Sequence, residues 1–196
     1  MAVELLRLLS NFEHVNERES ETAFFRTHVP WIGPQAYLNI VFKPAPEEAL
    51  AETARRVRMP ASLVEFLRTQ NGAILFSGAL SVCGVHRPGQ LLNRQDAFSR
   101  MPFNLEDEND DWLADDSERF LPLGGYGFDG SSICIDRSDS CIYFFRRGER
   151  GLLSTSLKWP SLEDWVKSEV ARLSMLFDER GKRLVHESQT LPHRVA

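Results

Sequence analysis

The fold of this chain is decided by the stretch from Phe120 to Phe145, which reads Phe-Leu-Pro-Leu-Gly-Gly-Tyr-Gly-Phe-Asp-Gly-Ser-Ser-Ile-Cys-Ile-Asp-Arg-Ser-Asp-Ser-Cys-Ile-Tyr-Phe-Phe. Two apolar runs, 132–136 and 141–145, flank the polar turn 137–140. Both runs are rich in Ile, Tyr and Phe, which suit a pleated and half-buried surface. The pattern predicts a β-hairpin with a further short strand at 120–123, and we expect these strands to lie in the middle of a sheet.

The composition is that of an ordinary globular protein with one main domain. The chain has 196 residues, of which 42% are hydrophobic and 26% are charged, and this length can bury a sizeable core. No apolar run approaches the roughly 20 residues of a membrane span, and the N-terminus lacks the basic segment of a signal peptide. The three cysteines, Cys83, Cys134 and Cys141, stand in apolar runs, which favours reduced core thiols in a cytoplasmic protein.

The net charge favours a protein partner over a nucleic acid. At pH 7 the formal charge is −5, whereas nucleic-acid-binding domains usually present a basic face. An acidic protein can attract a basic partner, because opposite charges steer association.

Regular elements are predicted on both sides of the hairpin. Towards the N-terminus we expect a strand at 36–42, a helix at 47–56, a helix from Pro60 to the Asn71-Gly72 stop, one or two strands at 74–85 and a short helix at 91–98. Towards the C-terminus we expect a strand at 151–157 and a helix that Ser161 opens and Gly181 ends. The apolar stripe Trp165, Val166, Val170 and Leu173 should cover the sheet and meet Ile133 and Ile135.

These elements divide the chain into three parts. Residues 1–35 are expected to form an N-terminal helical arm, with a helical pattern at 3–12. Phe24, Phe25, Trp31 and Ile32 are expected to anchor this arm on the core. Residues 36–178 form the α+β domain, and residues 179–196 form a polar tail.

Two patterns have the residue spacing of known ligand sites, but each lacks a feature that its site requires. Gly125-x-Gly127-x-x-Gly130 matches the dinucleotide-binding spacing, but a strand follows it where the phosphate site needs a helix, so we interpret these residues as tight-turn glycines. The spacing of a calcium loop is met by Asp107, Asn109, Asp111, Asp115 and Glu118. Its sixth position holds Trp112 instead of the glycine that the sharp turn needs, so we predict no calcium site.

Other candidate chemistry is equally incomplete. Cys83 and His86 have a C-x-x-H spacing, but no second Cys/His pair stands nearby to complete the four ligands of a structural zinc site. We find no nucleophile, base and orienting residue that the sequence alone assigns, although such sets assemble in space rather than along the chain. We therefore predict no catalytic residue, no metal and no cofactor.

An acidic stretch is the candidate partner-binding surface. It contains Asp107, Glu108, Asp110, Asp111, Asp115 and Asp116 around Trp112, and we expect it to be an exposed loop. Acids can steer a basic partner and an aromatic side chain can anchor it. Tyr126 and Phe128 in the glycine turn are further candidate anchors. The alternative is that the acids only keep the protein soluble and that the aromatic rings fold back onto the core.

Two blocks of the sequence together resemble the SUKH superfamily, which includes the yeast Smi/Knr cell-wall-synthesis regulators and many bacterial immunity proteins. The first block is Met59-Pro60-x-x-Leu63-x-x-Phe66-Leu67-x-x-x-Asn71-Gly72, similar to the Leu-Pro, helix, Asn-Gly pattern of the family. The second is Phe120-Leu121-Pro122-Leu123-Gly124, then Asp129-Gly130, then Ile133-Cys134-Ile135-Asp136. The helix opened by Pro160-Ser161-Leu162-Glu163-Asp164-Trp165 is similar to the closing helix of the family.

The resemblance extends over about 37–176 and has two departures. Ser131-Ser132 stand where the family often has Gly-Asp, and Met59 replaces the usual Leu. The resemblance implies an α+β fold, with helices against a mainly antiparallel sheet, and protein binding without shared catalytic residues. We expect an immunity protein, in the form of a monomer or weak dimer, that neutralises a cognate toxin, for example a basic toxin such as a nuclease. A regulatory or scaffold protein is the first alternative, and an uncharacterised enzyme is the second.

Overall fold

The computed structural model describes residues 4–86, 98–112, 117–147, 157–184 and 192. Several predictions fall elsewhere. The short helix expected at 91–98 and the strand expected at 151–157 lie outside the described residues, apart from the last position of each. Asp115 and Asp116 also lie outside the described residues, as does the tail beyond 184 except position 192.

Nine strands in the described ranges form one antiparallel sheet, and their order in space is their order along the chain. The strands are β1 (Arg18–Glu19), β2 (Ala23–His28), β3 (Tyr37–Phe42), β4 (Ala73–Leu75), β5 (Leu80–Val82), β6 (Phe120–Tyr126), β7 (Ser132–Asp136), β8 (Ile142–Phe145) and β9 (Lys158–Trp159). The helices are α1 (Leu5–Leu8), α2 (Glu47–Arg56), α3 (Ala61–Thr69), α4 (Leu105–Asp110) and α5 (Leu162–Ser174). This is the expected α+β architecture. None of the described helices has the length and apolar character needed to span a bilayer.

The predicted hairpin is confirmed as β7 and β8, with β6 before it. Its expected position in the sheet is wrong, because the middle strand of the nine is β5. The displacement arises from the N-terminal arm, which adds two strands on the far side of β3.

The N-terminal arm is helical only in α1, so the expected helical arm is corrected. Its second half forms β1 and β2, and the side chains of β2 alternate between buried and half-buried, which is the period of a strand. The predicted role of Trp31 and Ile32 as anchors is also corrected. Their side chains are 52% and 57% exposed, so they do not anchor the arm on the core. The division into arm, domain and tail stays a prediction.

The predicted helices at 47–56 and after Pro60 are confirmed as α2 and α3. Ser161 opens α5 as expected, with its side-chain oxygen accepting a hydrogen bond from the Asp164 N–H at 3.1 Å. The predicted end at Gly181 is wrong, because α5 ends at Ser174. A separate turn follows, in which the Asp178 carboxylate accepts hydrogen bonds from the N–H groups of Arg180 and Lys182.

The main core lies between the sheet and the helices. Ile133 and Ile135 are fully buried in one cluster with Trp165 and Leu173, as predicted. Across this core, the Tyr126 hydroxyl donates a hydrogen bond of 2.7 Å to the buried Glu169 carboxylate of α5.

The Asn71-Gly72 pair joins α3 to the sheet. The Asn71 side-chain amide donates to the Val85 carbonyl at 2.8 Å and accepts from the Val85 N–H at 2.7 Å. Gly72 has φ +85°, and a Cβ there would lie 2.4 Å from the Val82 carbonyl oxygen. The pair therefore does more than stop a helix, because it also fixes the chain that follows β5.

Truncation of Ile135 tests the packing of the hairpin against the core. We expect Ile135→Ala to lower the free energy of unfolding by about 2–5 kcal/mol, because the lost methylene groups leave a cavity in a fully buried site. Ile32→Ala, at an exposed isoleucine, should lower it by less than about 0.5 kcal/mol. Urea denaturation measures both. Equal stability of Ile135→Ala and the unmodified protein would remove the hairpin from the core.

Candidate functional site

The sheet face turned away from the main core carries a row of cross-strand neighbours with small side chains at its centre. Successive direct pairs run Phe25, Ile40, Ile74, Ser81, Gly125, Ser132 and Phe145. Directly paired residues point to the same face of a sheet. The large side chains at the two ends pack in two separate clusters, so the small ones between them form a depression.

This depression, which we call the sheet groove, has a volume of about 280 Å³. Ser81, Gly125 and Ser132 lie along it, and Phe103 and Glu108 line it from the segment that contains α4. The ring of Phe103 is 51% exposed. Among the described residues, no side chain fills the groove, which leaves backbone, hydroxyl and aromatic surface open to a ligand.

The glycines of the stretch 124–130 allow β6 to approach its neighbours closely. A Cβ at Gly124 would lie 2.1 Å from the Ser81 carbonyl oxygen, and one at Gly127 would lie 2.3 Å from that of Gly78. The next element is strand β7 rather than a helix. The interpretation of the pattern as tight-turn glycines therefore holds for Gly127 and Gly130, which belong to the turn between β6 and β7, and is corrected for Gly125, which lies within β6.

The acidic stretch begins as a helix, so the expected exposed loop is wrong for its first half. Helix α4 starts after Asn104, whose side-chain oxygen accepts from the Glu106 N–H at 3.3 Å. Three acidic residues stand in its first turn, where they complement the positive end of the helix dipole. An N-cap and this charge order stabilise a short helix in a sequence that otherwise has the composition of a loop.

Two arginines hold α4 in place. Arg56 of α2 forms ion pairs with Glu106 and Asp110, each at 2.9 Å. Arg137, in the turn between β7 and β8, donates to the Asn109 side chain at 2.8 Å and to the Val57 carbonyl at 3.0 Å. The helix therefore has a fixed position beside the sheet groove.

The acidic residues divide into two sets. Glu106 and Asp110 are used within the protein, because both bind Arg56. Asp107, Glu108 and Asp111 are exposed on the outer side. Within the described part of the chain, neither Asp107 nor Asp111 has an ion pair. We call these three exposed acids, Asp107, Glu108 and Asp111, the acidic surface.

The three candidate aromatic anchors have different surroundings. Trp112 is only 6% exposed, and its ring packs edge to face on Phe145 with centroids 5.6 Å apart. Tyr126 is 2% exposed and reaches the main core. Phe128 is 58% exposed but lies beside a different groove. Folding back onto the protein is thus observed for two of the three rings, whereas a role in binding stays a prediction for all of them.

Phe103 and the serines of the groove are the site residues that sequence reasoning missed. Phe103 follows Pro102 in a stretch without regular periodicity, so no pattern marks its ring as exposed. Ser81 and Ser132 are ordinary strand residues until the pairing register places them on either side of Gly125. A register cannot be read from one strand at a time.

The residues that line the groove are better suited to binding a ligand than to catalysing a reaction. Burial raises the pKa of the Cys83 thiol, which lines the groove, so the thiol stays neutral and weakly nucleophilic. The His86 ring lies 2.8 Å from the Pro102 carbonyl oxygen instead of pairing with Cys83. Among the described residues, no three His, Cys, Asp or Glu side chains gather as a metal site would require.

A buried carboxylate supports the hairpin turn that carries Arg137. Asp136 is fully buried and accepts from Arg119 Nε at 2.6 Å, from the Ser138 N–H at 2.8 Å and from the Ser138 hydroxyl at 2.6 Å. Burial alone would raise the pKa of Asp136, but the hydrogen bonds from Ser138 and Arg119 outweigh it and hold the pKa below its usual value of 3.8.

Comparison with known proteins relates most of this chain to a protein family. The family described as SMI1 / KNR4 family (SUKH-1) matches residues 44–168. No curated protein matches the chain. The matched residues include α2, α3, α4 and the strands of the sheet groove, whereas β1, β2 and the turn after α5 lie outside them.

Substitution of Gly124 tests the close approach of β5 and β6. We expect Gly124→Ala to lower the free energy of unfolding by about 1–3 kcal/mol or more, because the added methyl group meets the backbone of β5. Gly33→Ala is the matched control, since its Cβ would have only Ala36 near it, at 3.9 Å. Thermal unfolding measures both. A tolerated Gly124→Ala would mean that β5 and β6 are farther apart than described.

Replacement of Asp136 tests the buried carboxylate through its pH dependence. Because the folded pKa is lowered, the ionised group stabilises the protein above about pH 4, and this contribution is lost as the pH falls through the folded pKa. Asp136→Asn should cost about 1–3 kcal/mol at pH 7, and its deficit should shrink below pH 4. Asp107→Asn, at an exposed acid, controls for loss of charge. Urea titrations at pH 7 and pH 3 would contradict this account if the deficit were constant.

Proposed function

Because the chain belongs to the SMI1 / KNR4 family (SUKH-1), we propose that it is a protein-binding domain that acts as an immunity protein and neutralises a toxin by covering it. The observation that carries the proposal is the open sheet groove with the acidic surface beside it. In this proposal, the protein does its work by binding, without catalysis. It works in the cytoplasm, where its three free thiols remain reduced.

The acidic surface selects a basic partner. Asp107 lies in the first turn of α4 and Asp111 follows its last residue, one helical turn later, while Glu108 lines the groove. Charges at such a position act over about 8 Å at physiological ionic strength. They accelerate the encounter with a cationic surface more than they stabilise the final complex. A basic toxin such as a nuclease has the required charge.

The sheet groove holds the partner after the encounter. Phe103 is an exposed aromatic ring at its edge, and rings in such positions frequently dominate the binding energy of an interface. The Ser132 hydroxyl in the same groove offers a hydrogen bond to a partner's polar group. The Ser81 hydroxyl donates to the Gly125 carbonyl oxygen at 3.2 Å and can still accept one. Since α4 is fixed by Arg56 and Arg137, the acids and the groove keep their relative position, and little ordering is needed on binding.

An immunity protein and a regulatory scaffold differ in affinity and in consequence. An immunity protein should bind one partner at nanomolar strength or better, about −12 kcal/mol, and should abolish its toxicity. A scaffold should bind several partners more weakly. Co-purification from the native cell, followed by affinity measurement and by co-expression with the captured partner, separates the two roles. Growth restored by co-expression is the outcome expected here.

The contribution of the acidic surface is tested with matched pairs of carboxylates. We expect Asp107→Asn with Asp111→Asn to slow association with the captured partner about tenfold at low salt, because the steering charge is lost. Glu48→Gln with Glu52→Gln removes two exposed acids at the same spacing on α2 and should have little effect. Surface plasmon resonance from 50 to 500 mM salt measures both rates.

Two further results complete this test. Phe103→Ala should mainly accelerate dissociation, since it removes a contact of the formed complex. The proposed surface would be excluded if association ignored salt and if the α4 pair and the α2 pair behaved alike.

A further inference from the structure

A second groove lies on the other side of Gly78 and Gly127, the two residues that line both depressions. We call it the arm groove. It has a volume of about 440 Å³ and combines four segments of the chain. They are Trp31 and Ile32 of the arm, the turn at 76–79, the turn at 127–128, and Phe177 with residues 181–183. The first and last of these segments lie outside the residues that match the family.

The walls of the arm groove are apolar and accessible. Trp31, Ile32 and Phe128 are 52%, 57% and 58% exposed, although isolated exposure of one such side chain would be unremarkable. Three large apolar side chains around one depression form a contiguous patch, which is typical of an interaction site. Phe76 and Phe177 form its floor, with their rings stacked at a centroid distance of 5.6 Å.

The floor turn has an unusual backbone. Phe76, Ser77 and Gly78 have φ values of 54°, 57° and 88° in succession, and a left-handed conformation costs about 1–3 kcal/mol at a residue other than glycine. The turn is held by a hydrogen bond of 3.0 Å from the Phe76 N–H to the buried Asn39 side chain. The groove is therefore shaped before any ligand binds.

The charge of the arm groove has one sign. Lys182 and Arg183 are the charged residues among those that line it. Lys182 is exposed, and its N–H is fixed by the Asp178 carboxylate at 2.8 Å. Gly181, with φ +78°, lets this turn lie against Val29 and Leu38, since a Cβ there would already be 3.1 Å from both. A preformed apolar site with an exposed lysine at its rim is complementary to an apolar side chain flanked by carboxylates.

We propose that the arm groove binds an acidic peptide segment of a partner protein, with a large apolar side chain between Trp31, Ile32 and Phe128 and its carboxylates at Lys182. This inference goes beyond the proposed function, because it concerns a different surface of opposite charge. The two grooves meet at Gly78 and Gly127, so one partner can occupy both. Because the arm groove uses segments outside the family match, it gives this chain a specificity of its own.

The test uses three synthetic six-residue peptides with Leu-Trp at the centre. One carries two carboxylates on each side, one carries the corresponding amides and one carries lysines. We expect the acidic peptide to bind several-fold more tightly than the other two and to shift the NMR signal of the Trp31 indole. Trp31→Ala should weaken it about tenfold. Lys182→Gln should weaken it about threefold, which corresponds to loss of one exposed ion pair.

Matched controls keep the result separate from folding and from the proposed function. Arg55→Gln neutralises an exposed cation on α2 and should leave peptide binding unchanged, as should Asp107→Asn with Asp111→Asn. Circular dichroism confirms that each variant is folded. Equal binding of the three peptides, or binding that ignores Lys182→Gln, would overturn the proposal. The proposal would also be overturned if the protein associated with itself, or sedimented with vesicles of anionic phospholipid, and if Lys182→Gln abolished that behaviour. Either result would assign the groove to another occupant.

Discussion

Strands β5 and β6 approach each other so closely that one methyl group at Gly124 would lie 2.1 Å from the Ser81 carbonyl oxygen. On the exposed face, between Ser81 and Ser132, a side chain is excluded at Gly125 as well, because its Cβ would lie 2.7 Å from the Ser131 carbonyl oxygen. The exposed face therefore has a depression there instead of a packed layer. The glycines that allow the strand backbones to approach each other therefore also leave space for the sheet groove. Gly127, which approaches Gly78 equally closely, stands between this groove and the arm groove.

Two arginines hold the acidic helix α4 in place. Arg56 neutralises Glu106 and Asp110, and Arg137 holds the same helix through Asn109. Asp107 and Asp111 are exposed and form no ion pair among the described residues, so their charges remain available at the surface. An exposed ion pair contributes little stability, and the main consequence of these contacts is that they give α4 one position beside the groove.

The predictions from sequence were accurate where local signals agree with burial. The hairpin has its turn and alternating runs, and α2 and the start of α5 have their dipole charges and caps, so each element is specified within a few residues. The arm strands were missed because their pairing with β3 decides their structure. The acidic helix was missed because one N-cap, Asn104, outweighs a loop-like composition. The burial of Trp112 could not be read from the local sequence either, because its ring packs on Phe145, a partner distant in sequence.

The central claim is that the acids of α4 touch a basic partner. Zero-length carbodiimide cross-linking joins carboxylates to lysines in direct contact, and mass spectrometry then locates the joined residues in the complex with the captured partner. The account predicts cross-links from the partner's lysines to Asp107, Glu108 and Asp111. Cross-links confined to the exposed acids of α2, Glu48 and Glu52, would contradict it, because those acids have the same spacing and lie on a different helix.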